Sequence, residues 1–138
     1  MATLTLPAQL DQLAPCTQFV VAQAQAHGLS LKRIHDIELA LEEAFVNVSQ
    51  YAYPDGAGDV TVTCTVDDRQ RFIIDILDYG QPFNPLSLAT PDVTSDVTER
   101  PVGGLGIFLI RKLMDDVTYE RQDNQNRLRL VVQQSQLP

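Results

Sequence analysis

The stretch between Ser30 and Pro54 constrains the fold more than any other part of this sequence. Ser30 is a favourable N-cap and Pro54-Asp55-Gly56 stops a helix, so one long helix is predicted to about Tyr53. At about 100° per residue, its apolar side chains fall on one broad side. That side is predicted to pack on a sheet. Its members are Ile34, Ile37, Leu41, Ala44, Phe45, Val48 and Ala52.

Two hairpins are predicted to supply the sheet. Residues 60–66 alternate Val or Cys with Thr, which is the period of a strand with one face on a core. A turn at Asp67-Asp68 leads to an apolar strand, so these two strands form an antiparallel hairpin. A second hairpin is joined across residues 123–126, and a weaker strand near the start closes at Pro7. The remaining predicted strands are Ala2–Leu6, Phe72–Leu77, Val117–Glu120 and Leu128–Val132.

Two more helices complete the predicted fold. A first helix ends at Gly28, and because proline removes a hydrogen bond inside a helix, we expect a short turn and then the main helix from about Pro15. A third helix is expected over Leu105–Asp115. The sum is an α+β two-layer sandwich: a mainly antiparallel sheet with helices on one face.

Composition narrows the class of protein. The 138 residues predict a single domain, 1–138. A formal charge of -8 argues against a nucleic-acid partner, since phosphate backbones are held by clustered Lys and Arg, and favours a protein partner. We expect no membrane association, because neither a long apolar run nor a signal peptide is present, and a cytoplasmic location is the default. Cys16 and Cys64 are interpreted as buried apolar side chains.

The long helix carries a second, polar stripe. Glu43, Asn47 and Gln50 fall together and are bordered by apolar residues, which predicts a partly enclosed site. A carboxylate and a carboxamide one turn apart suit phosphate and Mg²⁺ chemistry, because Mg²⁺ prefers oxygen ligands and keeps several waters. The alternative is an ordinary solvent-facing helix side, and Glu42 is assigned to that alternative.

Two further segments bear on phosphate and base recognition. Residues 78–83, Asp-Tyr-Gly-Gln-Pro-Phe, place a carboxylate at a strand end, where it can accept a hydrogen bond from an adenine exocyclic amine; the alternative is a common Asp-x-Gly turn. Residues 103–110 place glycines before an apolar helix, where backbone amides and the helix dipole favour an anion; the alternative is a hinge. Between them, residues 84–102 are rich in Pro, Ser, Thr and Asp and are interpreted as a lid.

Together these segments resemble the GHKL ATPase superfamily, and within it the small bacterial anti-sigma factor serine/threonine kinases. Residues 43–47 look like its N box, residues 78–80 its first glycine box and residues 104–110 its second, and the resemblance covers about residues 31–132. It implies a Bergerat-type ATP-binding fold. Two positions differ from the family pattern: Gln50 stands where His or Arg is frequent, and the last strand lacks a Thr near Arg127-Leu128-Arg129.

The resemblance also implies residue roles. Glu43 would be the catalytic base, Asn47 the Mg²⁺ ligand and Asp78 the adenine reader, with Gly104 and Gly106 contacting phosphate. Arg100, in the lid, is assigned to the terminal phosphate. The full set of expected nucleotide-binding residues is Asn47, Gln50, Asp78, Gly80, Phe83, Arg100, Gly103, Gly104, Leu105 and Gly106.

Two functions follow as hypotheses. In the first, which the resemblance implies, the protein uses Mg-ATP to phosphorylate Ser or Thr of an STAS-domain antagonist and, in the unmodified state, sequesters a sigma factor. In the second, it is an ATP-binding switch that captures a partner without phosphoryl transfer. A homodimer is common in the family.

Overall fold

The computed structural model of the chain describes residues 1–54, 58–84, 86 and 104–133, with only the backbone of residues 104–106. The helices are α1, Leu13–His27; α2, Leu31–Asn47; and α3, Gly104–Leu113. The strands are β1, Ala2–Pro7; β2, Asp59–Val66; β3, Phe72–Asp78; β4, Asp116–Gln122; and β5, Gln125–Val132. A 3-10 turn, Leu10–Gln12, precedes α1, and a π-helical turn, Val48–Ala52, extends α2.

The five strands form one antiparallel sheet in the order β1-β2-β3-β5-β4. Inward side chains from β2, β3 and β5 meet the buried stripe of α2, as the periodicity predicted. All seven stripe residues of α2 and its extension are buried. The α+β two-layer arrangement is therefore confirmed. Cys16 and Cys64 are free and buried, and burial raises the pKa of their thiols to about 11 and about 12.

Local sequence explains how the helices start and stop. The Ser30 side chain accepts a hydrogen bond from the amide of Arg33, 3.2 Å away, which caps α2. Gly28 ends α1 with φ +88°, a left-handed conformation that favours glycine. Pro15 lies in the first turn of α1, where a missing N–H costs nothing because the first-turn amides have no helical partner.

Several boundaries differ from the expectation. The long helix is α-helical only to Asn47 and then widens into the π turn. Strands β4 and β5 are longer than predicted because Asp123 and Asn124, with φ of 54° and 64°, make a two-residue turn between them. The predicted lid, residues 84–102, lies outside the described residues except for positions 84 and 86. In the described part of the chain, no helix is long and apolar enough to cross a membrane.

Candidate functional site

A small cavity lies between the end of α2 and one end of the sheet. Among the predicted residues, Asn47, Asp78 and Phe83 line it, and Tyr119 and Asn126 of the second hairpin lie beside them. Its volume is about 20 Å³, enough for one water molecule. A larger ligand therefore enters only when lining side chains move.

Asn47 is the most unusual of the lining residues. It ends α2, is 2% exposed, and within the described part of the chain neither its amide nitrogen nor its amide oxygen has a hydrogen-bond partner. Leaving a buried polar group unpaired costs about 1–3 kcal/mol. Its oxygen is the kind of ligand that Mg²⁺ takes. The described residues contain no cluster of three or more His, Cys, Asp or Glu, so a cation here fits only if phosphate and water supply most of its ligands.

Glu43 lies one helical turn before Asn47 on the same face of α2, near the cavity but not in its lining. It is half-buried. Burial raises the pKa of Glu43, and the negative charge of Glu42 raises it further. A carboxylate with a raised pKa is a stronger base, so the position suits proton abstraction. Gln50 is exposed and does not line the cavity.

Asp78 ends β3 and is 4% exposed. One carboxylate oxygen, Oδ1, accepts hydrogen bonds from the Gly80 amide at 2.9 Å and from Asn126 Nδ2 at 2.8 Å. Burial raises the pKa of Asp78; the two hydrogen bonds and the charge of Arg121 oppose that rise without cancelling it. A buried carboxylate at the floor of a cavity suits recognition of a hydrogen-bond donor.

Gly80 joins the strand end to the helix end. A Cβ at this position would lie 2.1 Å from the carbonyl oxygen of Ala52, so only glycine fits. That same oxygen accepts a hydrogen bond from the Gln81 amide at 2.9 Å. Farther along, the Phe83 ring stacks on Tyr51 with 4.6 Å between ring centroids. The segment after Asp78 is thus held against the π turn of α2.

The glycine-rich segment opens α3. Gly104, Leu105 and Gly106 form its first turn, and Ile107 and Ile110 are buried beside α2. The amino end of a helix carries unpaired N–H groups and a positive dipole end, which favour an anion. Arg100 and Gly103, also predicted to bind nucleotide, lie outside the described residues.

A buried ionic cluster fixes the other end of α3. Arg33 donates to Asp36 at 2.8 Å, to the Leu113 carbonyl oxygen at 3.2 Å and to Asp115 at 2.6 Å. Lys32, largely exposed, also reaches Asp36 at 3.2 Å. The start of α2 thereby holds the carboxyl end of α3 in place.

Comparisons with known proteins show the family of this chain. A family model described as the histidine kinase-like ATPase domain matches residues 6–132. The chain belongs to the histidine kinase-like ATPase family. Serine-protein kinase RsbW of Bacillus mycoides (strain KBAB4) is 29% identical to this ATPase-family chain over 118 residues, covering 83% of this chain and 73% of the relative. RsbW of Bacillus cereus (strain G9842) is 30% identical with the same coverage.

Solved structures carry the same fold. The SiaB-SiaC complex from Pseudomonas aeruginosa matches with a TM-score of 0.67 and 14% identity, over 96% of this chain and 89% of that chain. A Mycobacterium tuberculosis chain with RsbU and RsbW domains matches with a TM-score of 0.63 and 14% identity, over 96% of this chain and 32% of that chain. At this identity the likeness supports the histidine kinase-like fold alone.

Sequence reasoning missed two residues of the site in this histidine kinase-like chain. Asn126 and Tyr119 are far from every motif, and no short pattern marks them. Asn126 pairs with Asp78 in the antiparallel register of β5 and β3. With β5 starting at Gln125, Asn126 is a polar residue at an inward position on a strand face that is otherwise apolar. That contrast was the signal available in the sequence.

Proposed function

We propose that this chain is an ATP-dependent serine/threonine protein kinase that acts on a protein partner. The observation that carries the proposal is Asn47, a buried amide with no hydrogen-bond partner among the described residues, in one cavity with the buried carboxylate of Asp78. The family to which the chain belongs, and the serine-protein kinases to which it is similar, support ATP use and phosphoryl transfer. The chain acts as a single domain in the cytoplasm.

Each residue has a chemical task in this proposal. Asp78 accepts a hydrogen bond from the exocyclic amine of adenine, and Asn47 holds Mg²⁺. When bound, Mg²⁺ neutralises negative charge on the phosphates. The amides at the start of α3 hold phosphate oxygens, with Arg100, Gly103, Leu105 and Gly106 as further contacts.

Glu43 is assigned to the proton transfer. It takes the proton of the substrate Ser or Thr hydroxyl while that oxygen bonds to the terminal phosphorus. The bond from that phosphorus to the bridging oxygen breaks, and ADP leaves with the electron pair. The half-buried setting of Glu43 raises its pKa and so strengthens the base. Gln50 and Phe83 complete the nucleotide contacts near the mouth of the site.

The proposed substrate is an STAS-domain antagonist, and the proposed sequestered partner is a sigma factor. A chain with a formal net charge of -8 suits protein partners rather than nucleic acid. A homodimer is the proposed oligomer.

Transfer of labelled phosphate from Mg-ATP to an STAS-domain protein tests the proposal. Glu43→Ala is expected to abolish transfer while keeping ATP affinity within about threefold, because the base acts only in the chemical step. Glu42→Ala is the matched control: it removes the neighbouring carboxylate, which is exposed, and transfer is expected to persist. Complex formation without any labelling by the unaltered chain would refute the kinase assignment in favour of a binding switch.

A further inference from the structure

Asn126 connects three parts of the site through one side chain. It is 4% exposed, and its Nδ2 donates to Asp78 Oδ1 at 2.8 Å and to the Gln81 carbonyl oxygen at 2.9 Å. Its Oδ1 accepts from the Tyr119 hydroxyl at 2.5 Å. Both N–H groups and the oxygen of this amide are therefore hydrogen-bonded within the cavity wall.

This network permits only one orientation of the amide. If the amide were rotated by 180°, its oxygen would face two acceptors, the Asp78 carboxylate and the Gln81 carbonyl. Its nitrogen would then face Tyr119, whose hydroxyl now donates to the amide oxygen. The Asp78 carboxylate and the Gln81 carbonyl thus set the orientation of the amide, and the Tyr119 hydroxyl holds its oxygen in place. Asn126 in turn holds the carboxylate.

The consequence for Asp78 is an asymmetric carboxylate. Both donors that reach it, Asn126 Nδ2 and the Gly80 amide, bind the same oxygen, Oδ1. Across residues 1–54, 58–84, 86 and 107–133, no hydrogen bond reaches Oδ2. One oxygen is used by the protein, and the other remains to accept from a ligand.

We propose that Asn126 and Tyr119 are a positioning pair that sets the nucleobase specificity of this site by presenting Asp78 Oδ2 to the exocyclic amine of adenine. The proposal rests on the proposed ATP-binding function and adds two residues to it. With Oδ1 held twice, the carboxylate cannot rotate to give both oxygens to the ligand. A base without the amine leaves Oδ2 buried and unpaired, which disfavours that base.

The test compares two nucleotides that differ only in that amine: ATP and purine riboside triphosphate. Their dissociation constants are measured with Mg²⁺ by titration calorimetry. The ratio is the constant for purine riboside triphosphate divided by that for ATP, so a change in affinity that arises at the phosphates cancels. For the unaltered chain we expect ATP to bind about tenfold tighter or more, since an unpaired buried acceptor costs about 1–3 kcal/mol. Asp78→Asn is expected to bring the ratio close to one.

Asn126→Ala is expected to lower the ratio about tenfold, and Tyr119→Phe severalfold. The double variant is expected to match Asn126→Ala, because Tyr119 acts through Asn126. Ile74→Val, a buried β3 substitution away from the cavity, is the matched control: it lowers stability but leaves the ratio unchanged. If Asn126→Ala does not fold, Tyr119→Phe alone must still lower the ratio.

The two proposals fail differently. If the unaltered chain binds neither nucleotide, the ATP-binding function is wrong and this inference falls with it. If the chain prefers ATP and Asn126→Ala or Tyr119→Phe keeps the full preference, the ATP-binding function stands and the positioning pair is refuted. An unaltered chain that binds both nucleotides equally well also refutes the pair.

Discussion

Gly80→Ala tests whether the strand end is held against the helix end by close backbone contact. The new Cβ would lie 2.1 Å from the carbonyl oxygen of Ala52, whereas real Cβ contacts stay beyond 3.0 Å. Because the obstacle is backbone, the π turn must retreat by about 1 Å, an overpacking change that costs about 1–3 kcal/mol. The Gln81 amide also loses its hydrogen bond to that oxygen, which adds about 1 kcal/mol. We expect a loss of about 2–4 kcal/mol.

Thermal unfolding measures this loss. For a chain of this size, about 3 kcal/mol lowers Tm by about 10 °C. The matched control is Gly28→Ala, whose Cβ would meet nothing within 4 Å, so it carries only the strain of φ +88°. That strain costs about 1 kcal/mol. Only Gly80→Ala should also weaken ATP binding, because it shifts the Asp78 turn. If Gly80→Ala destabilises no more than Gly28→Ala, or binds ATP as tightly as the unaltered chain, the junction does not hold Asp78.

Three further variants test the polar groups. Arg33→Met should cost about 3 kcal/mol, since it leaves the buried Asp36 with only the exposed Lys32 as an ionic partner among the described residues. The control Lys32→Met should cost under about 1 kcal/mol, and equal losses in urea unfolding would contradict the cluster's role. Asn47→Leu should stabilise the chain by about 1 kcal/mol, since it removes a buried amide that has no hydrogen-bond partner in the part of the chain that the structure describes. It should also abolish Mg²⁺-dependent ATP binding; unfolding and titration calorimetry check both. Glu43→Gln should raise Tm at neutral pH, because the raised pKa of Glu43 means that its ionisation opposes folding. The gain should disappear below about pH 4.5, where Glu43 is protonated in both the folded and the unfolded chain. A Tm gain that persists in acid would contradict that assignment.

The same raised pKa predicts the pH dependence of phosphoryl transfer. A base works only when deprotonated, so transfer should fall as pH drops through the pKa of Glu43, which lies above 4.5. Rates under saturating ATP at a series of pH values measure it. Glu42→Ala should shift that acidic limb to lower pH, because it removes the charge that contributes to the rise.

The sequence predicted the parts of the fold that repeat with a period. The stripe of α2 and the Val–Thr alternation of β2 follow from 3.6- and 2-residue periods, and the structure has both. The π turn after Asn47 could not be predicted in this way. Its last residue, Ala52, packs against Gly80, a contact between residues 28 positions apart that no local pattern encodes.

The same distinction separates the site residues that were predicted from those that were missed. Asn47 and Asp78 stand within short motifs, and the structure brings both to one cavity. Asn126 was not predicted as a site residue because the predicted turn, residues 123–126, placed it in a loop. The two-residue turn with left-handed Asp123 and Asn124 moves Asn126 into β5 and turns it inward, opposite Asp78. From this position the Asn126 amide donates to the Asp78 carboxylate.

The distribution of buried polar groups separates structural from functional roles. At one end of the core, Arg33 is buried but its terminal nitrogens reach three acceptors, so the cluster joins α2 to α3, although its Nε lacks a partner among the described residues. At the other end, Asn47 has no protein partner at all in the described residues, and one oxygen of Asp78 is left open. An unpaired buried polar group costs stability, so open groups that share a cavity indicate a ligand that pairs with them. Asn47 and Asp78 share one cavity, and the proposed nucleotide with its cation would supply the donor and the metal that they lack.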